Sequence, residues 1–479
     1  MANLSDNLKF SHLVFEIFLY MFQYKVYRKD NTVLADSIYK KINNFGGLIV
    51  KITQWMMTRV EFMYNGMYNN LSLSKKLTLF YEQCPPHPFD YTKELLEKNF
   101  KKPMNEIFKT FDRNSIASGS IGQVYKAIYN GKKVAVKIKH PNINNKLKIY
   151  SDIVINVYNK ISKLPFVNKY LLPVSLEGLL DYLNMQVNFK YEARNFEKFR
   201  KTFKNYKNIV IPKVYYSSED ILILEYIEGK SIDNIKDVEY AKKAITTLYL
   251  FARESFILHG YLHADLHKGN WKVLLPRNKN DLLRIVIFDA GLVLEENKKK
   301  IPFSKLWYIF ERKEYREVTE LITRNIENLN NNNIRKIKDE LYNELKPNQD
   351  KDLWTDIMII MRYITNKKLI INFDVFNYLI SLNILISNFQ NVKLFQEDNW
   401  NNAFYAKYFT DRLLYFISFS EKIPYYKNIR EELDRSHKAL TNKFSERFKK
   451  YYEEKDSQLK KIENIIDLDI DDDEEDDED

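Results

Sequence analysis

Asp265 and Asn270, five residues apart in the run His263-Ala-Asp-Leu-His-Lys-Gly-Asn270, and Asp289 in Ile287-Phe-Asp-Ala-Gly291, place three oxygen-bearing side chains at the spacing of a phosphoryl-transfer centre. In that chemistry one carboxylate accepts or orients the proton of an attacking hydroxyl, while an amide and a second carboxylate hold magnesium against the phosphates. Asp265 takes the first role, Asn270 and Asp289 the second. Oxygen ligands of this kind suit hard Mg²⁺. His263 and His267 have no third ligand at zinc spacing, so they are read as residues that position the loop.

Three upstream segments supply what else such a centre requires. The run Ala117-Ser118-Gly119-Ser120-Ile-Gly122-Gln-Val124 matches the phosphate-covering loop G-x-G-x-x-G-x-V with alanine in first place, and backbone N–H groups of such a loop cap phosphates. Thirteen residues after Val124, Lys137 ends Val-Ala-Val-Lys, a strand pattern whose lysine needs an anionic partner among apolar neighbours. Glu192, on a helix before the next strands, is the carboxylate expected to pair with it. Residues 222–226 form the strand expected to cover an adenine, with Glu225 and Ile227 offering backbone groups. ATP and Mg²⁺ are therefore the expected cofactors.

These side chains need a scaffold, and the hydrophobic pattern predicts one. Residues 1–110 read as helices, with apolar positions three and four apart over 13–27, 34–57 and 71–81. The prolines around Cys84 to Pro88 interrupt that pattern before a further helix at 91–100. Strand periodicity begins near Ile116, and Asn130-Gly131 joins strands 121–129 and 132–139 as a hairpin. Helices are predicted at 144–163 and, as one long element, at 176–202; strands at 208–216 and 221–226; a helix at 238–259; and a hairpin of 271–275 with 283–289. Beyond Ile301 the chain reads as helical, with an Asn-rich connection at 330–333 and a last helix from Glu431 to about Ile466. The plan is α+β: a helical extension (1–110), a lobe with a small antiparallel sheet (111–228), a helical lobe with the catalytic loop (229–430), and a final helix with an acidic tail (431–479).

Composition narrows the alternatives. The 479 residues exceed one ordinary core, and two or three packed units are expected. Cys84 is the only cysteine, which excludes an internal disulfide and a cysteine zinc cluster. Asp6, with Glu16 and Gln23 in the apolar stretch 12–24, argues against a signal peptide, a transit peptide or a membrane span, and leaves a peripheral membrane contact open. The net charge of +11 includes eleven acidic residues from Asp467 onward, so the rest carries +22. Its lysines lack the aromatic interleaving of a base-stacking surface, which argues against nucleic acid as partner.

These motifs, in this order, resemble the UbiB, or aarF-domain (ADCK), family of atypical kinases. The resemblance extends in front of the sheet, where Lys51-Ile-Thr-Gln54 is similar to the family's K-x-G-Q signature and Cys84-Pro-Pro-His-Pro88 to its proline-rich segment. It implies a protein-kinase-like fold, nucleotide and magnesium binding, ATPase or kinase activity, a link to coenzyme Q or other isoprenoid-lipid metabolism, and a K-x-G-Q helix packed over the cleft with Lys51 and Gln54 reaching it. The signature glycine is Thr53 here, and the family's E-x-D pair ahead of Glu192 is Gln186 and Asn188. Glu192, Lys137, Asp265, Asn270 and Asp289 are all present. Two other classes stay open: a nucleotide-gated, non-catalytic binding module at a membrane or lipid-enzyme assembly, and a small-molecule kinase.

Overall fold

The computed structural model describes residues 4–390, apart from residues 28, 47–48, 52, 54–70, 79–83, 85, 162–175, 279–280, 296–308, 311–312, 330 and 349–352. The chain divides into Met1–Leu413 and Leu414–Asp479, and all described residues fall in the first unit. The helix predicted from Glu431 and the acidic tail lie outside them. Among the described residues no helix is long and apolar enough to cross a membrane.

Three helices lead the chain: α1 (Leu4–Tyr27), α2 (Thr32–Phe45) and α3 (Ser72–Thr78). Asn31 caps α2 by accepting the Leu34 N–H at 3.0 Å. The single helix expected over 34–57 is interrupted, because the Gly46 N–H turns back to the Ile42 and Asn43 carbonyls and closes α2. Helical residues resume at Ile49, so Lys51 stands on a separate turn whose Ile49 and Val50 are buried. Helix α4 (Phe89–Phe100) then covers the first sheet.

That sheet has the order β1-β3-β4-β7-β6, all antiparallel, with β2 added on β3. Its strands are β1 (Phe108–Phe111), β2 (Ala117–Ser118), β3 (Gly122–Tyr129), β4 (Lys132–Lys139), β6 (Val214–Ser217) and β7 (Ile221–Glu225). The predicted hairpin at Asn130-Gly131 is present, both residues at positive φ. Strand β1 was not expected: its Phe108 and Phe111, three apart, read as a continuation of the helical pattern. Along β4, Val134, Val136 and Ile138 join Leu96, Tyr125, Ile221 and Ile223 in the core. Strand alternation therefore puts Lys137 on the opposite face, towards the cleft.

Two more predictions are corrected by local chemistry. The expected helix over 176–202 is two, because Asn188 accepts the Lys190 N–H at 3.0 Å and starts a new one; α5 (Ile143–Ile161) precedes α6 (Leu176–Gln186) and α7 (Phe189–Thr202). The expected strand over 208–216 is split at Pro212, which cannot donate to a ladder: β5 (Ile209–Val210) and β6 belong to different sheets.

After α8 (Val238–Arg253) the chain forms β8 (Tyr261–His263), β9 (Trp271–Leu274), β10 (Arg284–Ile287) and β11 (Val293–Glu295). Strand β10 lies between β9, antiparallel as predicted, and β5, parallel; β8 pairs with β11. Helices α9 (Tyr315–Thr323), α10 (Asn331–Leu345), α11 (Leu353–Asn366) and α12 (Phe373–Gln390) follow. Asn331 to Asn333 open α10 rather than forming the connection expected of them.

Candidate active site

Lys137 is the geometric centre. Its ammonium donates to both carboxylate oxygens of Glu192, at 2.9 and 2.8 Å, and to Asp289 Oδ2 at 3.2 Å. Glu192 is only 2% exposed, in the first turn of α7, and the Asn188 cap delivers it there. Burial opposes the charge on Lys137, but Asp289 and then Glu192 more than reverse this and raise its pKa. Burial would raise Asp289 too; Lys137, then Lys51, then the Gly291 N–H at 2.9 Å hold it well below the usual carboxylate range. Burial dominates at Glu192 and pushes its carboxyl up to about 7 against the pull of Lys137. One lysine thus faces two carboxylates, of which Asp289 is the readily ionised one.

The loop from His263 to Asn270 is fixed by bonds to backbone. His263, buried, has Nε2 2.6 Å from the Asp289 carbonyl, which can only accept, so the ring proton is on Nε2 and Nδ1 accepts the Asp265 N–H at 3.3 Å. Burial lowers the pKa of His263, in keeping with this neutral tautomer. Asn270 donates its amide to the Asp265 carbonyl at 2.7 Å and its own carbonyl accepts the Phe288 N–H at 2.8 Å, so Asp265, Asn270 and Asp289 are locked to one another through main chain. Ser381 of α12 supports the loop from below, bonded to the Ala264 carbonyl at 3.2 Å. His267 holds the Gly269 N–H at 3.1 Å, and its Nε2 lies 3.9 Å from Asp265. Both histidines have the loop-positioning contacts expected of them.

Gly119 to Gly122 are the tip of the β2–β3 hairpin and line the same cavity as Lys51, Lys137, Glu192, Asp265, Asn270 and Asp289. Ala117, Ser118 and Val124 form the hairpin stem instead. The two glycines differ in kind. A Cβ on Gly122 would stand 2.3 Å from the Ile138 carbonyl oxygen on β4, whereas one on Gly119 would meet nothing closer than 3.7 Å. Gly122→Ala is therefore expected to cost about 1–3 kcal/mol or more by forcing β3 and β4 apart. Gly119→Ala should stay within about 0.5 kcal/mol, and thermal unfolding of the two variants compares them directly.

Lys51 enters the cleft as expected, its Nζ 3.7 Å from Asp265 Oδ2. The Asp265 carboxylate thus supplies the partner that Gln186 and Asn188 do not. Thr53, in the signature-glycine position, bonds the Ile49 carbonyl at 2.7 Å and so supports the turn carrying Lys51. Gln54 lies outside the described residues. Glu225 and Ile227 do not line the cavity, and the Glu225 N–H is spent on the Lys213 carbonyl at 2.8 Å. Sequence reasoning gave no role to Phe189, whose ring lies 5.1 Å from Lys137 Nζ, or to Asn195, which donates to the Ala290 carbonyl at 2.7 Å. The only signal for Asn195 was its place beside Glu192 in Glu-Ala-Arg-Asn.

Residues 80–322 match the ABC1 atypical kinase-like domain. This chain belongs to that family. Its relatives include the probable serine/threonine-protein kinase abkC of Dictyostelium discoideum, 30% identical over 238 residues that cover 48% of this chain and 33% of abkC. The AarF domain-containing protein kinase 1 of Xenopus laevis is 27% identical over 277 residues, 54% of this chain and 50% of that one. The chain thus spans a third to a half of the length of these curated relatives. Among solved structures, a Mycobacterium tuberculosis protein in complex with erythromycin is 25% identical, with a TM-score of 0.40 over 55% of this chain and 68% of that one.

The donor set of this ABC1 domain fits magnesium. Asp289 is held ionised, and Asn270, with its N–H spent on Asp265, presents an amide oxygen. Among the described residues no group of three His, Cys, Asp or Glu could hold a metal alone.

Proposed function

We propose that this ABC1 domain binds a magnesium nucleotide and acts as an ATP-dependent phosphotransferase or ATPase. The observation that carries the reading is the double engagement of Lys137 with Glu192 and Asp289, in one cavity with Asp265, Asn270 and the hairpin tip. Lys137, steadied by Glu192, supplies a fixed positive charge for phosphate oxygens, and the tip supplies backbone N–H groups. Asp289 and Asn270 would hold Mg²⁺, which neutralises phosphate charge when bound. Asp265, immobilised at its own N–H and carbonyl, accepts the proton of an attacking hydroxyl or water.

Lys51 bears on the acceptor. Its ammonium lies beside Asp265, where a hydroxyl must come, so a protein side chain has to displace it. This favours hydrolysis or a small acceptor, in keeping with the isoprenoid-lipid setting that the family resemblance implies. The same contact gives substance to a second reading, a nucleotide-gated module in which Lys51 keeps Asp265 out of chemistry. A soluble-metabolite kinase would require no such lysine.

Thermal shift tests the reading. Mg-ATP at a hundred times its dissociation constant should stabilise the protein by about 2.7 kcal/mol. Asp289→Asn keeps an acceptor for the Gly291 N–H but loses the charge that Lys137 and Lys51 favour, so it should abolish the nucleotide-dependent gain and also lower nucleotide-free stability at neutral pH, the gain being read relative to each protein's own nucleotide-free value. No shift in the parent, or an equal shift in the variant, rejects the proposal.

A further inference from the structure

Behind the hairpin tip, on the side of β4, a chain of hydrogen bonds runs from the Gly119 carbonyl into the segment that precedes α4. His140 Nε2 is 2.9 Å from the Gly119 carbonyl, His140 Nδ1 is 2.7 Å from His87 Nδ1, and His87 Nε2 is 2.8 Å from Thr92 Oγ1. Thr92 Oγ1 is 2.9 Å from the Tyr125 hydroxyl, which also takes an N–H of Gln123. Gln123 completes the circuit, donating to the His87 carbonyl at 3.1 Å while its Oε1 accepts the His87 N–H at 2.9 Å. His87, Thr92, Gln123 and Tyr125 are all buried.

One arrangement of protons satisfies every member. A carbonyl only accepts, so His140 carries its proton on Nε2 and offers a bare Nδ1. His87 then donates from Nδ1 and accepts at Nε2 from Thr92, which accepts from Tyr125. The Cys84 N–H adds a backbone bond to the Ser118 carbonyl at 3.1 Å, so the segment before α4 holds the hairpin at two places. In keeping with this, burial, then the neighbouring His140, pushes the His87 imidazole down to about 4, which keeps it neutral.

The Gly119 carbonyl and the Ser120 N–H belong to one planar trans peptide and point in opposite directions. Fixing the oxygen on His140 fixes that N–H pointing away from it, and Ser120 lines the cavity. We propose that His140, backed by His87, is a positioning residue that sets the Ser120 N–H as a donor to a nucleotide phosphate. The inference rests on the nucleotide reading above and names the device that orients its phosphate loop. Without the anchor the Gly119–Ser120 peptide is free to rotate, and its oxygen can face the phosphate instead.

The test is calorimetric titration of Mg-AMP-PNP into the parent, His140→Leu and His140→Gln, with hydrogen exchange of the Gly119 and Ser120 amides in the nucleotide-free proteins. His140→Leu should bind about ten-fold more weakly, the loss expected for one hydrogen bond to a charged group, and exchange faster at the Gly119 amide, which bonds the Gly122 carbonyl at 3.0 Å, but not along β4 or β7. His140→Gln, which keeps an N–H at similar reach, should bind within about three-fold of the parent. Where turnover is measured, the loss should fall on KM with kcat nearly unchanged. Should His140→Leu not fold, Ser120→Pro deletes the N–H itself and must give the same weakening. Equal binding by the parent and His140→Leu, or by the parent and Ser120→Pro, overturns this inference alone. A parent that binds no Mg-AMP-PNP overturns it together with the nucleotide reading.

Discussion

Asp265→Asn is expected to lower ATP turnover by about 10²–10⁴-fold while Mg-ATP affinity stays within about three-fold of the parent. The substitution isolates the carboxylate. What holds the loop at this position is main chain: the Asp265 carbonyl accepts Asn270 and the Asp265 N–H donates to His263. Neither bond involves the side chain being changed, so the variant keeps these loop bonds while it loses the carboxylate charge beside Lys51 and His267. Steady-state hydrolysis, measured with and without lipid vesicles, reads the effect. If parent and variant bind Mg-ATP and turn it over equally slowly, the domain is a nucleotide-gated module and not a catalyst.

Lys137→Met should cost about 3–5 kcal/mol, because it strands the Glu192 carboxylate in a site where, among the described residues, no other cation is bonded to it. The cost should depend on pH in a defined sense. Glu192 ionises near its ordinary value of 4.5 when unfolded and near 7 in the folded parent, so folding retains a proton between those values and stability falls as pH rises through them. Removing Lys137 moves the folded value higher still. The deficit of the variant should therefore widen above pH 7 and be smallest near pH 5, a trend that urea unfolding at the two pH values will show. Adding Glu192→Leu to Lys137→Met should recover much of the loss, since an apolar pair replaces a lone buried acid. A deficit that is the same at both pH values would mean that Glu192 is not the source of the cost.

What could be read in the sequence was what short spacing encodes. Asp265, Asn270 and Asp289 are separated by one loop and one hairpin, and Lys137 lies on the inward face of a strand whose alternation is plain; all four line one cavity. The Asn188 cap and Pro212 were visible as residues, yet the continuous apolar pattern around each concealed the break it makes. The contacts least legible join distant parts of the chain. Nothing local to Lys51 points to Asp265, and nothing local to His87 points to His140. A strand as short as β1, with Phe108 and Phe111 at helical spacing, takes its identity from pairing with β3 and not from its own four residues.

The parallel pairing of β5 with β10 has a mechanical consequence. Helix α7 runs into β5, and the Ile285 N–H of β10 bonds the Asn208 carbonyl at 2.9 Å, while Asn195 grips the Ala290 carbonyl from the helix itself. Glu192 and Asp289 are consequently the two jaws of one rigid calliper, joined by backbone whether or not Lys137 is between them. Swinging α7 outward to break the Lys137–Glu192 pair would tear that ladder, so it is an expensive way to switch the site off. A less expensive place to open the site is the contact between Lys51 and Asp265, a single ionic pair at 3.7 Å.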